Sequence, residues 1–181
     1  TAVFKNFDLQ YDLDNENPLA EYYGMIDRFY GKISNFKLTI NSSKNVGNQK
    51  MTLLARFNYG IIDNFVIESK ESFNVAYESA FFTRTNYGII RNGYAYGKNI
   101  NATYKNTSGL TEKRIAILSL FNYAGSYISN FYSLIGIDVP SDYSTGDEER
   151  LVGVIHHGNG LTLKNIYVNA TGNNRLTNGD P

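Results

Sequence analysis

Apolar side chains return six times along the chain in one phrase, each time around an asparagine. The phrases are Phe4-Lys5-Asn6-Phe7-Asp8-Leu9, Ile33-Ser34-Asn35-Phe36-Lys37-Leu38, Ile62-Asp63-Asn64-Phe65-Val66-Ile67, Ile90-Arg91-Asn92-Gly93-Tyr94-Ala95, Ile128-Ser129-Asn130-Phe131-Tyr132-Ser133 and Leu163-Lys164-Asn165-Ile166-Tyr167-Val168. The asparagines stand 29, 29, 28, 38 and 35 residues apart. Downstream of them apolar residues alternate, as in Phe36, Leu38 and Ile40 or Ile166, Val168 and Ala170. That period of two predicts a strand with one buried face. Across the asparagine the alternation slips, because Ile33, Ile62 and Leu163 lie three residues before the next apolar position. A strand cannot change phase without bending. Asn6, Asn35, Asn64, Asn92, Asn130 and Asn165 therefore mark a corner, and asparagine tolerates the left-handed dihedrals that a corner needs.

A second phrase precedes the first: Phe29-Tyr30-Gly31, Asn58-Tyr59-Gly60, Asn86-Tyr87-Gly88, Asn122-Tyr123-Ala124-Gly125 and Gly158-Asn159-Gly160. Gly31, Gly60, Gly88, Gly125 and Gly160 are read as turn glycines, where a Cβ would clash. Upstream of each turn lies another apolar run, such as Leu53-Leu54, Phe81-Phe82 or Leu151 to Ile155. Each unit is thus strand, Tyr-Gly turn, short strand, asparagine corner, strand and loop. No stretch carries a sustained helical period.

Units of this size that bury one face must stack to make a core. The expected fold is all-β, a right-handed parallel β-helix (solenoid) of about five to six coils, since parallel crossovers are almost always right-handed. One domain fills residues 1–181, with units at roughly 1–20, 21–50, 51–80, 81–113, 114–149 and 150–176. An antiparallel sandwich of short, evenly spaced strands is the rival. The repeated asparagine favours the solenoid, because equivalent amides of stacked strands can form a ladder. Inward positions should include Phe36, Leu38, Ile62, Phe65, Ile67, Ile128, Phe131, Leu163, Ile166 and Val168. The fourth phrase departs, with Gly93, Ala95 and Gly97 in bulky positions and Tyr94 and Tyr96 between them. Either neighbours fill that level, or the strand shifts phase and buries its tyrosines. Two longer connections, 98–114 and 136–150, follow the same strand and should emerge on one side. With no polar cap on the end units, the chain reads as an excised piece of a longer solenoid.

Composition narrows the function. Lys+Arg and Asp+Glu number 17 each, giving zero formal net charge, which argues against nucleic acid as a partner. The most apolar stretch, Ile115 to Phe121, is far too short to insert in a membrane. No signal peptide opens the chain, and zero cysteines exclude disulfides and thiol catalysis. His156 and His157 are adjacent, so on a strand they point to opposite faces and cannot share an ion. The acidic runs Asp142 with Asp147-Glu148-Glu149, and Asp12, Asp14 and Glu16, lack the order of a calcium loop and read as solvated. The sequons at Asn41, Asn101, Asn106 and Asn169 are what 23 asparagines would give by chance. Arg56 and Arg84 share a register and read as an exposed stripe.

A polysaccharide-active solenoid would gather carboxylates on adjacent coils. The residue before the corner asparagine instead reads Lys5, Ser34, Asp63, Arg91, Ser129 and Lys164. No catalytic residue and no metal site is expected. The informative column is the outward position two residues after the corner: Asp8, Lys37, Val66, Tyr94, Tyr132 and Tyr167. Tyr94, Tyr132 and Tyr167 form the candidate binding face, because tyrosine offers a rigid apolar ring with a hydroxyl. A structural aromatic ladder is the plainer reading of the same three residues.

The phrase Leu53 to Ile67, and again Leu151 to Val168, resembles the repeats of the N-terminal β-helical region of the Gram-positive zinc metalloproteases, the family of the streptococcal IgA1 proteases. The resemblance covers nearly the whole chain but consists of hydrophobic, glycine and asparagine positions, which surface adhesins with Gly-Asn repeats share. It implies a large secreted or wall-attached endopeptidase, with zinc only in a separate catalytic domain of the parent and no cofactor in this segment. No HExxH occurs here, so no catalytic residue carries over. The implied partners are a host protein substrate or ligand and the rest of the parent protein. The implied role is positioning or recognising that substrate, with an adhesin segment or a polysaccharide-active β-helix enzyme as alternatives.

Overall fold

The computed structural model describes residues 2–11, 22–41, 51–72, 74–75, 79–102, 113–138, 150–158 and 160–168. Among these residues the chain is all-β, without a helix, and every strand pairing is parallel. No hairpin pairing of the antiparallel sandwich is present among them.

Three sheets take strands from successive repeats. The first contains the asparagine phrases, in chain order: Val3–Tyr11, Lys32–Ile40, Ile61–Ser69, Ile89–Gly97, Tyr127–Ser133 and Thr162–Val168. Equivalent residues are Cα partners throughout, so Phe7, Phe36, Phe65, Gly93, Phe131 and Ile166 form one row. The second sheet carries the upstream apolar runs. In the first repeats each run is two short strands, such as Met51–Thr52 and Ala55–Asn58 or Ser79–Ala80 and Thr83–Asn86. Leu53, Leu54, Phe81 and Phe82 lie at the breaks and are all buried. Two consecutive inward side chains require the backbone to bend between the strands, because an extended strand points neighbours to opposite faces. In Lys113–Asn122 the same place is a register irregularity between Ala116 and Ser119, inside one longer strand. The third sheet is small: Asn74–Val75, Ile100–Ala102 and Ile137–Asp138. It receives the first residues of both longer connections; 103–112 and 139–149 lie outside the described residues.

The phase slip at each asparagine has a direct backbone cause. Asn6, Asn35, Asn64, Asn92, Asn130 and Asn165 have φ between 50° and 59°, the left-handed region, within otherwise extended strands. One left-handed residue turns the strand through a corner, and asparagine accepts that conformation more readily than other non-glycine residues.

The core lies between the sheets and is built from rows of equivalent side chains. Phe36, Leu38, Ile62, Phe65, Ile67, Ile128 and Phe131 are buried. Leu163, Ile166 and Val168, also expected inside, are only half-buried. Their strand ends the sheet, so nothing in the described residues covers its far side. The opposite end strand shows the same effect: Phe4, in register with the buried Ile33, is 49% exposed.

The small residues of the fourth phrase are filled in by neighbours, with no change of phase. Ala95 is buried while Tyr94 points outward. Phe65 and Phe131 are two strands apart, a backbone separation of about 9.6 Å, yet their ring centroids are 5.9 Å apart. Both rings lean into the level that Gly93 leaves open. A Cβ on Gly93 would stand 2.1 Å from Cζ of Phe65.

Candidate recognition surface

Tyr94, Tyr132 and Tyr167 are Cα partners on three successive strands of the first sheet. They are 36%, 36% and 61% exposed. The rings of Tyr94 and Tyr132 stack at 5.7 Å with planes 17° apart, and Tyr96 stacks on Tyr94 from along the strand at 5.5 Å. A shallow groove lined by Asn130, Phe131, Tyr132, Asn165 and Tyr167 opens beside them. A second groove borders the corner at the other end of the sheet, along Asn6, Asn35, Asn64, Lys37 and Val66. The arrangement offers apolar ring edges and phenol hydroxyls next to a line of amides, on a rigid sheet.

The corner amides form two ladders rather than one. Asn35 Nδ2 donates to Asn6 Oδ1 at 3.1 Å, and Asn64 Nδ2 to Asn35 Oδ1 at 2.7 Å. Asn130 Nδ2 donates to Asn92 Oδ1 at 2.8 Å, and Asn165 Nδ2 to Asn130 Oδ1 at 2.9 Å. Between the halves Asn92 Nδ2 turns away from Asn64 and donates to Asp63 Oδ1 at 2.8 Å. Asp63 also meets Arg91 Nη2 at 3.0 Å and Lys32 Nζ at 3.5 Å. Burial pushes the Asp63 carboxyl up, but hydrogen bonds from Arg91 and Asn92 and the Arg91 charge outweigh it and hold the pKa below its ordinary value. The ladder asparagines are largely exposed.

The interior amide ladder is elsewhere, in the phrase read only as a turn. Asn58, Asn86 and Asn122 are fully buried. Asn58 Nδ2 donates to Asn86 Oδ1 at 2.8 Å and Asn86 Nδ2 to Asn122 Oδ1 at 3.2 Å. Asn58 Oδ1 and Asn86 Oδ1 also accept from the amides of Gly60 and Gly88. The signal was visible in the sequence, since an Asn-Tyr pair opens the turn in three repeats, at 58, 86 and 122.

The turn glycines divide by mechanism. Gly31, Gly60 and Gly88 are required by close approach, because a Cβ there would lie 2.1 to 2.2 Å from a carbonyl oxygen of the preceding repeat. Gly125 and Gly160 have φ of 89° and 72°. Between the turns runs a second exposed tyrosine column. Tyr30, Tyr59, Tyr87 and Tyr123 stack face to face, each centroid 4.8 Å from the next. Burial, then the neighbouring Tyr123 and Tyr59, raise the pKa of Tyr87.

The Lys37 ammonium lies 2.7 Å from Glu68, and that hydrogen bond lowers the Glu68 pKa. Arg56 and Arg84 lie over the rings of Phe57 and Phe121, at 5.0 Å each; Arg56 also approaches Asp27 at 3.7 Å. They are packed cations rather than an open stripe. The side chains of His156 and His157, the acidic runs at 12–16 and 142–149, and Asn106 and Asn169 lie outside the described residues. Among the described residues no group of three or more His, Asp or Glu could hold a metal ion, and no helix is long and apolar enough to cross a membrane. No family model, curated protein or solved structure matches the chain.

Proposed function

We propose that the chain is a right-handed parallel β-solenoid of about five to six coils that serves as a non-catalytic recognition module, with Tyr94, Tyr132 and Tyr167 as its binding face. The closed coil is supported by hydrogen bonds that continue round the turns. Tyr59 N–H donates to Phe29 O at 2.7 Å and Ile61 N–H to Gly31 O at 2.9 Å; the next repeat does the same from Tyr87 and Ile89. The binding role is carried by one observation: three tyrosines in register, exposed, beside a groove of amides. Aromatic side chains on rigid elements recognise partners at low entropic cost.

The setting that the repeat resemblance supports is a secreted or wall-attached bacterial zinc metalloendopeptidase, in which this module holds a host protein substrate for a catalytic domain elsewhere. A surface adhesin would use the same face without a protease. The coding sequence on either side separates them: an HExxH motif supports the protease, and a wall anchor without one supports the adhesin. The face is tested by substituting Tyr94, Tyr132 and Tyr167 together with serine in the full-length protein. Loss of substrate cleavage or ligand binding with an unchanged melting curve is expected. Normal binding by the folded variant would remove the face. The 181 residues alone should show no peptidase activity.

A further inference from the structure

The corner asparagines spend only half of their hydrogen-bonding capacity on protein partners. A side-chain amide has two N–H donors and two acceptor lone pairs. Asn35 donates once, to Asn6, and accepts once, from Asn64. Asn130 donates to Asn92 and accepts from Asn165, and Asn92 donates to Asp63 and accepts from Asn130. Each of these three keeps one N–H and one lone pair, and all three are exposed. At the break between the ladders Asn64 donates to Asn35, and no described residue donates to its Oδ1. The stacked repeats thus carry a line of solvent-facing donors and acceptors along the stacking axis, one amide every 4.8 Å or so.

Both grooves of the first sheet run against this line. One is walled by Asn35 and Asn64 with Lys37, the other by Asn130 and Asn165 with Tyr132 and Tyr167. The second groove has no charged residue, and in the first the Lys37 ammonium is held by Glu68 at 2.7 Å. Tyr132 is stacked on Tyr94, so its ring offers an edge and a hydroxyl more than an open face.

The period selects the ligand. An extended peptide along the axis would turn equivalent groups to the groove every two residues, about 6.7 Å, and would fall out of step with the amides within two repeats. A sugar chain carries hydroxyls on every ring, and each hydroxyl both donates and accepts, as an exposed amide does. The lack of an unpaired charge suits a neutral chain. We propose that the corner amides form a binding site for a neutral glycan lying along the stacking axis, with Tyr132 and Tyr167 as its second wall. This rests on reading the tyrosine face as a recognition surface and names the class of its ligand. At the break, one sugar hydroxyl donates to Asn64 Oδ1 and accepts from the second N–H of Asn92, joining the two ladders.

Affinity electrophoresis of the protein through gels containing a soluble polysaccharide tests this, with glucomannan, xylan and galactan as neutral probes and polygalacturonate as the charged control. At least one neutral polymer should retard the protein, and more strongly than polygalacturonate does. Asn64→Gly with Asn130→Gly keeps the left-handed corners and removes two amides. That variant should bind the same polymer at least about tenfold more weakly, with an unchanged melting curve. Asn35→Gly replaces Asn130→Gly should the pair melt below the parent. The proposal is overturned by a parent that no neutral polymer retards, or by a folded amide variant that binds as the parent does. The joint serine variant of Tyr94, Tyr132 and Tyr167 separates the two readings. If it loses binding of the polymer while the amide variant keeps it, the tyrosine face stands and the amide site falls.

Discussion

Gly93→Ala is the sharpest probe of how the core is filled. The added methyl would lie 2.1, 2.3 and 2.7 Å from three carbons of the Phe65 ring, where ordinary contact begins near 3.5 Å. The ring has little room to retreat. It lies 6.0 Å from Phe36, 5.9 Å from Phe131 and 4.4 Å from Phe82, centroid to centroid. Overpacking of this kind costs about 1–3 kcal/mol. Gly93 has no positive φ, so alanine recovers roughly 0.4–1 kcal/mol by restricting the unfolded chain. The net expectation is a loss of about 1–2 kcal/mol, a fall in melting temperature of roughly 2–8 °C for a chain of this length. Phe65→Leu removes the ring carbons that the methyl would meet, so the double variant should lose less than the sum of the two singles. Thermal and urea melts of the four proteins give the coupling, expected to be at least about 1 kcal/mol in favour of the pair. Additive losses, or a Gly93→Ala protein as stable as the parent, would show that Phe65 does not occupy the Gly93 level.

The two kinds of asparagine should respond differently to truncation. Asn86→Ala removes a buried donor and acceptor and should cost about 1–3 kcal/mol in urea melts, whereas Asn64→Gly, which keeps the left-handed corner, should stay within about 0.5 kcal/mol of the parent. Asn64→Ala should cost roughly 1–2 kcal/mol more than Asn64→Gly, from backbone strain; equal losses for glycine and alanine would mean that the amide ladder, not the dihedral, is what matters there. Asp63 has a folded pKa below its ordinary value, so its stabilisation is present above the unfolded pKa of about 3.9 and is lost as pH falls through the folded value. Melts of the parent and Asp63→Asn should therefore differ near neutrality and converge in acid, and a constant difference across that range would exclude this ionic role.

Much of the architecture was legible because the repeat is a backbone property. The period-two alternation placed Phe36, Leu38, Phe65 and Ile67 inside, and the three-residue step across Asn35 and Asn64 located the corners. What the pattern could not resolve was the third dimension between repeats. Asn64 and Asn92 are equivalent in sequence, yet Asn92 bonds Asp63, because a carboxylate one residue before the corner in the preceding repeat competes for the amide. The empty level at Gly93 could be filled from either side or from outside, and only the lean of Phe65 and Phe131 decides it. Tyr59 and Tyr87 were visible only as turn residues, since a stacked exposed column depends on turns lying directly above one another. Leu163 and Ile166 follow the inward pattern but lie half-buried, because alternation reports which way a side chain points and not whether another strand covers it.

The stacking of repeats in register is tested most directly by distances between spin labels, and a chain with no cysteine allows them to be placed singly. Lys5 and Lys164 are exposed and belong to one row of the first sheet, separated by Ser34, Asp63, Arg91 and Ser129. Five strand spacings put their backbones about 24 Å apart, and labels at Lys32 and Thr162, four spacings apart, should lie closer at about 19 Å. Double electron–electron resonance on Lys5→Cys/Lys164→Cys and Lys32→Cys/Thr162→Cys should give two narrow distributions whose means differ by about one strand spacing. Means that do not follow the number of intervening repeats would contradict the parallel stack.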